Sequence, residues 1–202
     1  PRIAQASPAH GVVLADFNAD GLTDICLAQN FYHAQSEIGP LAGGLGQLLS
    51  NQGGGQFYPV PAKASGLSVW QDARSLSVTD LNNDGWPDLF FGVNDGEIAA
   101  FENGGSRLNH MLNVHLQGSQ GNPTAIGAHV TLTLPNGARQ SAEVYAGGGY
   151  LSQNTSTLTF GMGAIPDGGK IAVRWPNGKT SNTMVAPGQN MVRLVQDQFP
   201  KE

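Results

Sequence analysis

Two stretches of the chain repeat each other without gaps. Residues 12–27 read VVLADFNADGLTDICL, and residues 76–91 read LSVTDLNNDGWPDLFF. Both contain the pattern D-x-N-x-D-G-x-x-D between short apolar runs. Apolar runs of this length, bounded by turn residues, favour strands over helices. Each copy therefore predicts a strand, a tight loop and a second strand, and the repeat constrains the chain to a modular all-β architecture.

A second hairpin is predicted between the two copies. Residues 45–60 read LGQLLSNQGGGQFYPV, in which two strand-like runs flank a turn cluster at 51–55. Together with the strand–loop–strand copy this makes four strands in about 60 residues, which is typical of one propeller blade. The sequence therefore predicts about two blades.

The character of the sequence changes near residue 107, where the loop pattern does not return. Six short segments alternate or run apolar, separated by Gly, Pro and Asn: 111–117, 128–134, 139–145, 157–160, 170–175 and 190–196. Such spacing predicts a small β-sandwich. We therefore expect two propeller-type blades in 1–106 and a β-sandwich domain in 107–202.

Composition excludes several classes of protein. The 202 residues include 10 Lys and Arg against 15 Asp and Glu, a formal net charge of −5, which argues against a nucleic-acid partner. No apolar run reaches the roughly 20 residues that a membrane-spanning helix needs. With 28 Gly, 12 Pro and only 12% charged residues, the chain is also unlike a helical bundle.

The repeated loop places oxygen-bearing side chains at positions 1, 3, 5 and 9. Calcium takes roughly six to eight oxygen ligands, and a curling loop can point alternate side chains at one centre. Gly21 and Gly85 at position 6 permit the sharp turn, and Leu22 and Trp86 at position 7 offer backbone carbonyls. We predict two Ca²⁺ sites with these ligands: Asp16, Asn18, Asp20, Leu22 and Asp24; Asp80, Asn82, Asp84, Trp86 and Asp88.

An EF-hand begins with a similar pattern but needs a bidentate Glu at position 12 and flanking helices. Position 12 is Leu27 in one loop and Phe91 in the other, so an EF-hand is excluded. Three carboxylates converging on an empty site would repel one another, whereas two Ca²⁺ ions would change the formal charge from −5 to −1. The alternative is that Asp, Asn and Gly form an Asx-rich turn without metal.

The loops, with residues 51–57 between them, resemble FG-GAP/VCBS repeats, the blades of integrin-α-type β-propellers. The resemblance implies the same two calcium sites. Because an oxygen cage between apolar strands orders a hairpin, we expect the metal to have a structural role. A propeller of this kind has about seven blades, whereas about two are recognised here. We therefore expect the chain to be the C-terminal part of a longer protein, or its open sheet edges to be covered by missing blades or a partner chain.

The second half resembles the ASPIC/UnbV domain, which follows FG-GAP/VCBS repeats in the cartilage-acidic-protein-like family and in bacterial secreted proteins. The resemblance rests on five stretches: 113–118, 125–130, 146–153, 160–161 and 173–178. The two resemblances together cover about residues 8–196.

These features predict a binding or scaffold module, rigidified by calcium, that is secreted, periplasmic or displayed at the cell surface. Its expected ligand is a protein or a glycan. Two alternatives stay open: a calcium-dependent glycan lyase or hydrolase, and an adhesion or filament subunit that assembles through open sheet edges. A pocket in which Glu143, Asp167 or a histidine converge would favour the enzyme. We assign no catalytic residue from the sequence.

Four further residues carry expectations. Cys26, the single cysteine, lies in an apolar strand and is expected to be a buried, inert thiol. Trp70, Trp86 and Trp175 could stack on sugars, but buried packing is the expectation for all three.

Overall fold

The chain folds almost entirely into β-strands, in two compact units. A computed structural model describes residues 7–32, 34–41, 43–164 and 167–196. The first unit comprises the chain up to Phe17, Leu22–Gly104 and Gly147–Asn154, and the second comprises Asn18–Gly21, Gly105–Ala146 and the chain from Thr155 onward. The predicted all-β class is confirmed. The domain division at residue 107 stays a prediction.

The first unit contains two antiparallel sheets. Its elements are β1 (Ala9–Ala15), β2 (Asp24–Gln29), β3 (Gln47–Asn51), β4 (Phe57–Val60), α1 (Ala62–Ser65), β5 (Ala73–Thr79), β6 (Asp88–Val93) and β7 (Ala99–Phe101). One sheet has the order β1-β2-β3-β4 and the other the order β5-β6-β7. The first is the predicted four-stranded meander, and β3 and β4 form the predicted second hairpin.

The two copies of the repeat occupy equivalent positions in these sheets. In β1 and β2, Ala15 pairs with Asp24, and in β5 and β6, Thr79 pairs with Asp88. Buried apolar side chains from both sheets form one core, in which Val13 and Cys26 lie with Leu76 and Phe91. The repeated sequence therefore gives the same hairpin twice, with its loop at the same end.

The second unit consists of two further sheets. Its strands are β8 (His110–Gln117), β9 (His129–Thr133), β10 (Arg139–Glu143), β11 (Leu158–Gly163), β12 (Gly169–Arg174), β13 (Thr180–Val185) and β14 (Met191–Val195). The sheet orders are β10-β9-β12-β13 and β11-β8-β14, and β14 pairs with β8 in parallel.

A single core lies between these two sheets, because buried residues of both contribute to it. Leu112 and Val114 of β8 pack in one cluster with Val130 of β9 and Ile171 of β12. Trp175, 1% exposed, belongs to the same cluster, and its indole Nε1 donates a 2.7 Å hydrogen bond to Ser181. The predicted β-sandwich is confirmed.

Among the described residues, no helix is long and apolar enough to cross a membrane.

Candidate metal-binding loops

Each predicted calcium loop connects two paired strands. The first joins β1 to β2 and the second joins β5 to β6, and in both the ninth residue of the pattern is the first residue of the following strand. The strands hold the two ends of each loop side by side. The eight residues between them must therefore reverse the chain and satisfy their own backbone groups.

The two loops have the same backbone conformation. Position 4 is left-handed in both, with φ of 57° at Ala19 and 60° at Asn83. Position 6 is glycine in both, with φ of 89° at Gly21 and at Gly85. Residues other than glycine rarely adopt such angles, so the recurrence of a left-handed residue at positions 4 and 6 shows that the two loops share their backbone path at these positions.

Positions 3 and 5 bond to each other in both loops. In the second loop, the Asp84 amide donates to Asn82 Oδ1 at 3.0 Å, and Asn82 Nδ2 donates to Asp84 Oδ2 at 3.0 Å. In the first loop, Asn18 and Asp20 make the same two bonds at 3.1 and 2.9 Å. These side-chain to backbone bonds form an Asx-type turn.

The first aspartate of the second loop closes the turn from the other side. Asp80 accepts the Asp84 amide at 3.1 Å and the Gly85 amide at 2.9 Å. The Trp86 amide in turn donates to Asp84 Oδ1 at 2.9 Å. The carboxylates at positions 1 and 5 therefore order the loop with bonds to its own backbone.

The ninth-position aspartates are the most buried polar groups of the loops. Asp24 is 2% exposed and Asp88 is 1% exposed. Asp88 Oδ2 accepts the Leu81 amide at 2.7 Å, and its Oδ1 accepts the Asn103 amide at 2.7 Å. A buried carboxylate needs such partners because desolvation penalises its charge.

Asp24 makes the same pair of contacts in the first loop. Its Oδ2 accepts the Phe17 amide at 3.1 Å and its Oδ1 accepts the Asn51 amide at 2.8 Å. Each ninth-position carboxylate therefore ties the start of its loop to the chain at or just after the third strand of the sheet, a role that the sequence analysis did not predict.

The partner asparagines were also missed. Asn51 ends β3 and donates through Nδ2 to the Thr23 carbonyl at 2.9 Å. Asn103 follows β7 and donates through Nδ2 to the Phe17 carbonyl at 2.9 Å. Because they lie 27 and 15 residues after Asp24 and Asp88, they do not share the 64-residue offset. The signal in the sequence is an Asn shortly before a glycine pair in each copy.

The calcium prediction stays a prediction. The donor set of both loops is chemically suited to Ca²⁺, since it offers carboxylate, amide and carbonyl oxygens. In the part of the chain that the structure describes, however, no three His, Cys, Asp or Glu side chains lie together as a metal-binding group. Calcium binding would require the loop carboxylates to move closer together.

Comparison with known families agrees with both halves of the chain. Residues 16–91 match the family model described as FG-GAP-like repeat, and residues 118–200 match the model described as ASPIC and UnbV. In chain order, the matches are to an FG-GAP-like repeat and then to an ASPIC and UnbV domain. The predicted resemblances are confirmed, and the FG-GAP-like repeats identify the two sheets of the first unit as propeller-like blades.

Human Cartilage acidic protein 1 is 24% identical to the chain over 207 residues. The match covers all of this chain but only 30% of that protein. The chain thus spans about a third of the length of this relative.

Within the FG-GAP-like region, Cys26 is fully buried, as predicted, and its burial raises the pKa of the thiol to about 12. The three tryptophans differ in how far their side chains are buried. Trp175 of the ASPIC and UnbV domain is buried as predicted, and Trp86 is half-buried. The prediction for Trp70 was wrong, because this side chain is 61% exposed in the segment before β5.

Proposed function

We propose that the chain is a calcium-stabilised binding module that works outside the cytosol, at the cell surface, in the periplasm or in a secreted protein. It acts through contacts with a protein or a glycan. Further blades, or a partner chain, cover the open edges of its sheets. The matches to an FG-GAP-like repeat and to an ASPIC and UnbV domain support a binding role.

The observation that carries the calcium proposal is the duplication of the loop in three dimensions. Both copies share the left-handed position 4, the glycine at position 6 and the bond between positions 3 and 5. Two loops with one shape and one oxygen donor set present the same chemistry twice. A bound Ca²⁺ would offset two of the three negative charges of each loop and so stabilise the hairpin that carries them.

A thermal melt of the whole chain with Ca²⁺, with Mg²⁺ and with excess EDTA tests this proposal. At about one hundred times its dissociation constant, an ion that binds only the folded state stabilises it by about 2.7 kcal/mol per site. We expect the melting temperature to rise with Ca²⁺ and much less with Mg²⁺, which keeps its waters and demands octahedral geometry. Equal melts in all three solutions would refute the calcium sites.

Variants of the exposed loop carboxylates make the test specific. Combining Asp20→Asn with Asp84→Asn removes one charge from each loop while leaving Asp24 and Asp88 in place. The control pair Glu37→Gln and Glu102→Gln removes the same charge from exposed positions outside the loops. We expect the loop pair alone to lose the Ca²⁺ response. If the control pair loses it equally, the effect is general electrostatic screening.

The affinity itself bears on the proposed compartment. Calcium sites of extracellular modules have dissociation constants of about 10⁻⁴–10⁻³ M, which calcium outside the cell fills. Isothermal titration should give values in this range for the whole chain. A submicromolar constant would contradict the extracellular proposal while leaving the sites themselves in place.

A further inference from the structure

A cavity of about 540 Å³ opens in the first unit, apart from both loops. Its wall is formed by Tyr32, by the segment 70–72 before β5 and by residues 93–99, which lead from the end of β6 into β7. Small-molecule sites have volumes of about 300–1,000 Å³. Glu143 and Asp167, whose convergence would favour an enzyme, do not line it.

Aromatic and apolar groups are unusually exposed around this cavity. Trp70 is 61% exposed and Ile98 is 70% exposed. Tyr32 is half-buried, and its hydroxyl donates to the Trp70 carbonyl, which fixes the ring beside that segment. An exposed Trp ring beside a half-buried Tyr ring is suited to contacting a flat or cationic group.

The charge of the lining is negative and only partly compensated. Asp72, 2% exposed, is paired with Arg74, whose Nε lies 2.7 Å from Oδ1 and whose Nη2 lies 3.0 Å from Oδ2. That arginine also stacks on Phe31, with Cζ 4.4 Å from the ring centroid, and does not line the cavity.

Two other lining carboxylates, Asp95 and Glu97, are exposed. Among the residues the structure describes, neither forms an ion pair with Lys or Arg. Within the described part of the chain, no Lys or Arg lines the cavity. The lining therefore offers aromatic rings and two uncompensated negative charges to one occupant.

We propose that this cavity binds an organic cation, a guanidinium or ammonium group, with Trp70 and Tyr32 contacting its apolar part and Asp95 and Glu97 its charge. A cation beside an aromatic face gains energy from the ring quadrupole. The proposal deepens the proposed binding function by naming the chemistry of the ligand. It uses no residue of the calcium loops, so the two are tested independently.

The test is a titration of the whole ¹⁵N-labelled chain with Nα-acetyl-arginine amide, followed by NMR. The neutral isostere Nα-acetyl-citrulline amide is the matched control ligand. We expect the arginine probe to shift the Trp70 indole signal and the amides of 94–98, and the citrulline probe to shift them far less. Equal shifts with citrulline or with a neutral disaccharide would overturn the cation site in favour of a polar or sugar site.

Variants of the lining residues test whether the arginine probe binds in this cavity. Trp70→Ala should lower the affinity for the arginine probe by at least about threefold. Asp95→Asn combined with Glu97→Gln should lower it by roughly three- to tenfold. Asn suits position 95, whose φ is 53°. The control variants are Tyr58→Ala, an exposed aromatic outside the lining, and the Glu37→Gln and Glu102→Gln pair. Equal weakening by the controls would overturn the proposal.

Two further probes distinguish the source of the cation. Putrescine represents a free amine, and a blocked Gly-Arg-Gly peptide represents a side chain of a partner protein. Whichever binds more tightly at the Trp70 signal identifies the source, and absence of binding by both overturns the proposal. If no cation binds but Ca²⁺ still stabilises the chain, only the proposal for the cavity is refuted, and the proposed calcium sites stand.

Discussion

Replacing Asp88 with alanine should destabilise the first unit whether or not calcium is present. The carboxylate is 1% exposed and accepts two backbone amides, from Leu81 and Asn103, both at 2.7 Å. A hydrogen bond to a charged group contributes about 1.5–3 kcal/mol, and the substitution leaves both amides without their acceptor. We expect a loss of about 3–5 kcal/mol, a large part of the 5–15 kcal/mol typical of a domain.

Urea unfolding in excess EDTA measures this loss without any contribution from metal. Asp84→Ala is the matched control, because it removes an exposed carboxylate from the same loop. We expect Asp88→Ala to shift the unfolding midpoint far more than Asp84→Ala. Asp88→Asn should fall between the two, since an amide keeps one acceptor and turns its NH₂ toward a donor.

The opposite pattern would refute the reasoning. If the Asp88 and Asp84 variants have the same urea midpoint in EDTA and different midpoints only when Ca²⁺ is added, then Asp88 acts as a metal ligand alone. Its two backbone bonds would then contribute nothing measurable, and our assignment of a structural tie would be wrong.

Two further predictions concern buried groups outside the loops. Burial raises the pKa of Cys26 to about 12 from an ordinary 9.0. The thiol reagent DTNB at pH 8 should therefore label only the unfolded chain. The free energy of unfolding should fall between about pH 9 and 12, because in this range only the unfolded thiol loses its proton. Asn30, fully buried, donates through Nδ2 to the carbonyls of Gly44, Trp70 and Gln71. Asn30→Asp places an oxygen against these acceptors and should lower the melting temperature by more than Asn30→Ala does.

The repeat made the blade hairpins and the site of each loop predictable. A period of 64 residues with matched polar positions leaves few alternatives, and apolar alternation then placed the strands. The strand β13 was missed because its sequence, TSNTMV, is largely polar and shows no apolar alternation. The strand β7 was missed because three residues are too few for a periodic signal.

The role of the ninth-position aspartate was not predictable from the pattern. A spacing shows which residues lie near each other along the chain, but the partners Asn51 and Asn103 approach only after the third strand has paired. The burial predicted for Trp70 was wrong for a related reason. Its side chain is exposed while its carbonyl accepts hydrogen bonds from Tyr32 and Asn30, so the backbone of this residue, and not its ring, is what the fold holds.

The bond from Asn103 to the Phe17 carbonyl links the two repeats through a side chain at one end and a backbone oxygen at the other. Any residue at position 17 supplies that oxygen, whereas position 103 must supply the amide. In a set of homologues, this bond would therefore select against substitution at 103, whereas at 17, a buried core position, it places no requirement on the side chain. Methods that detect contacts from correlated substitution would not register this link, although it joins the loop of one blade to the closing segment of the next.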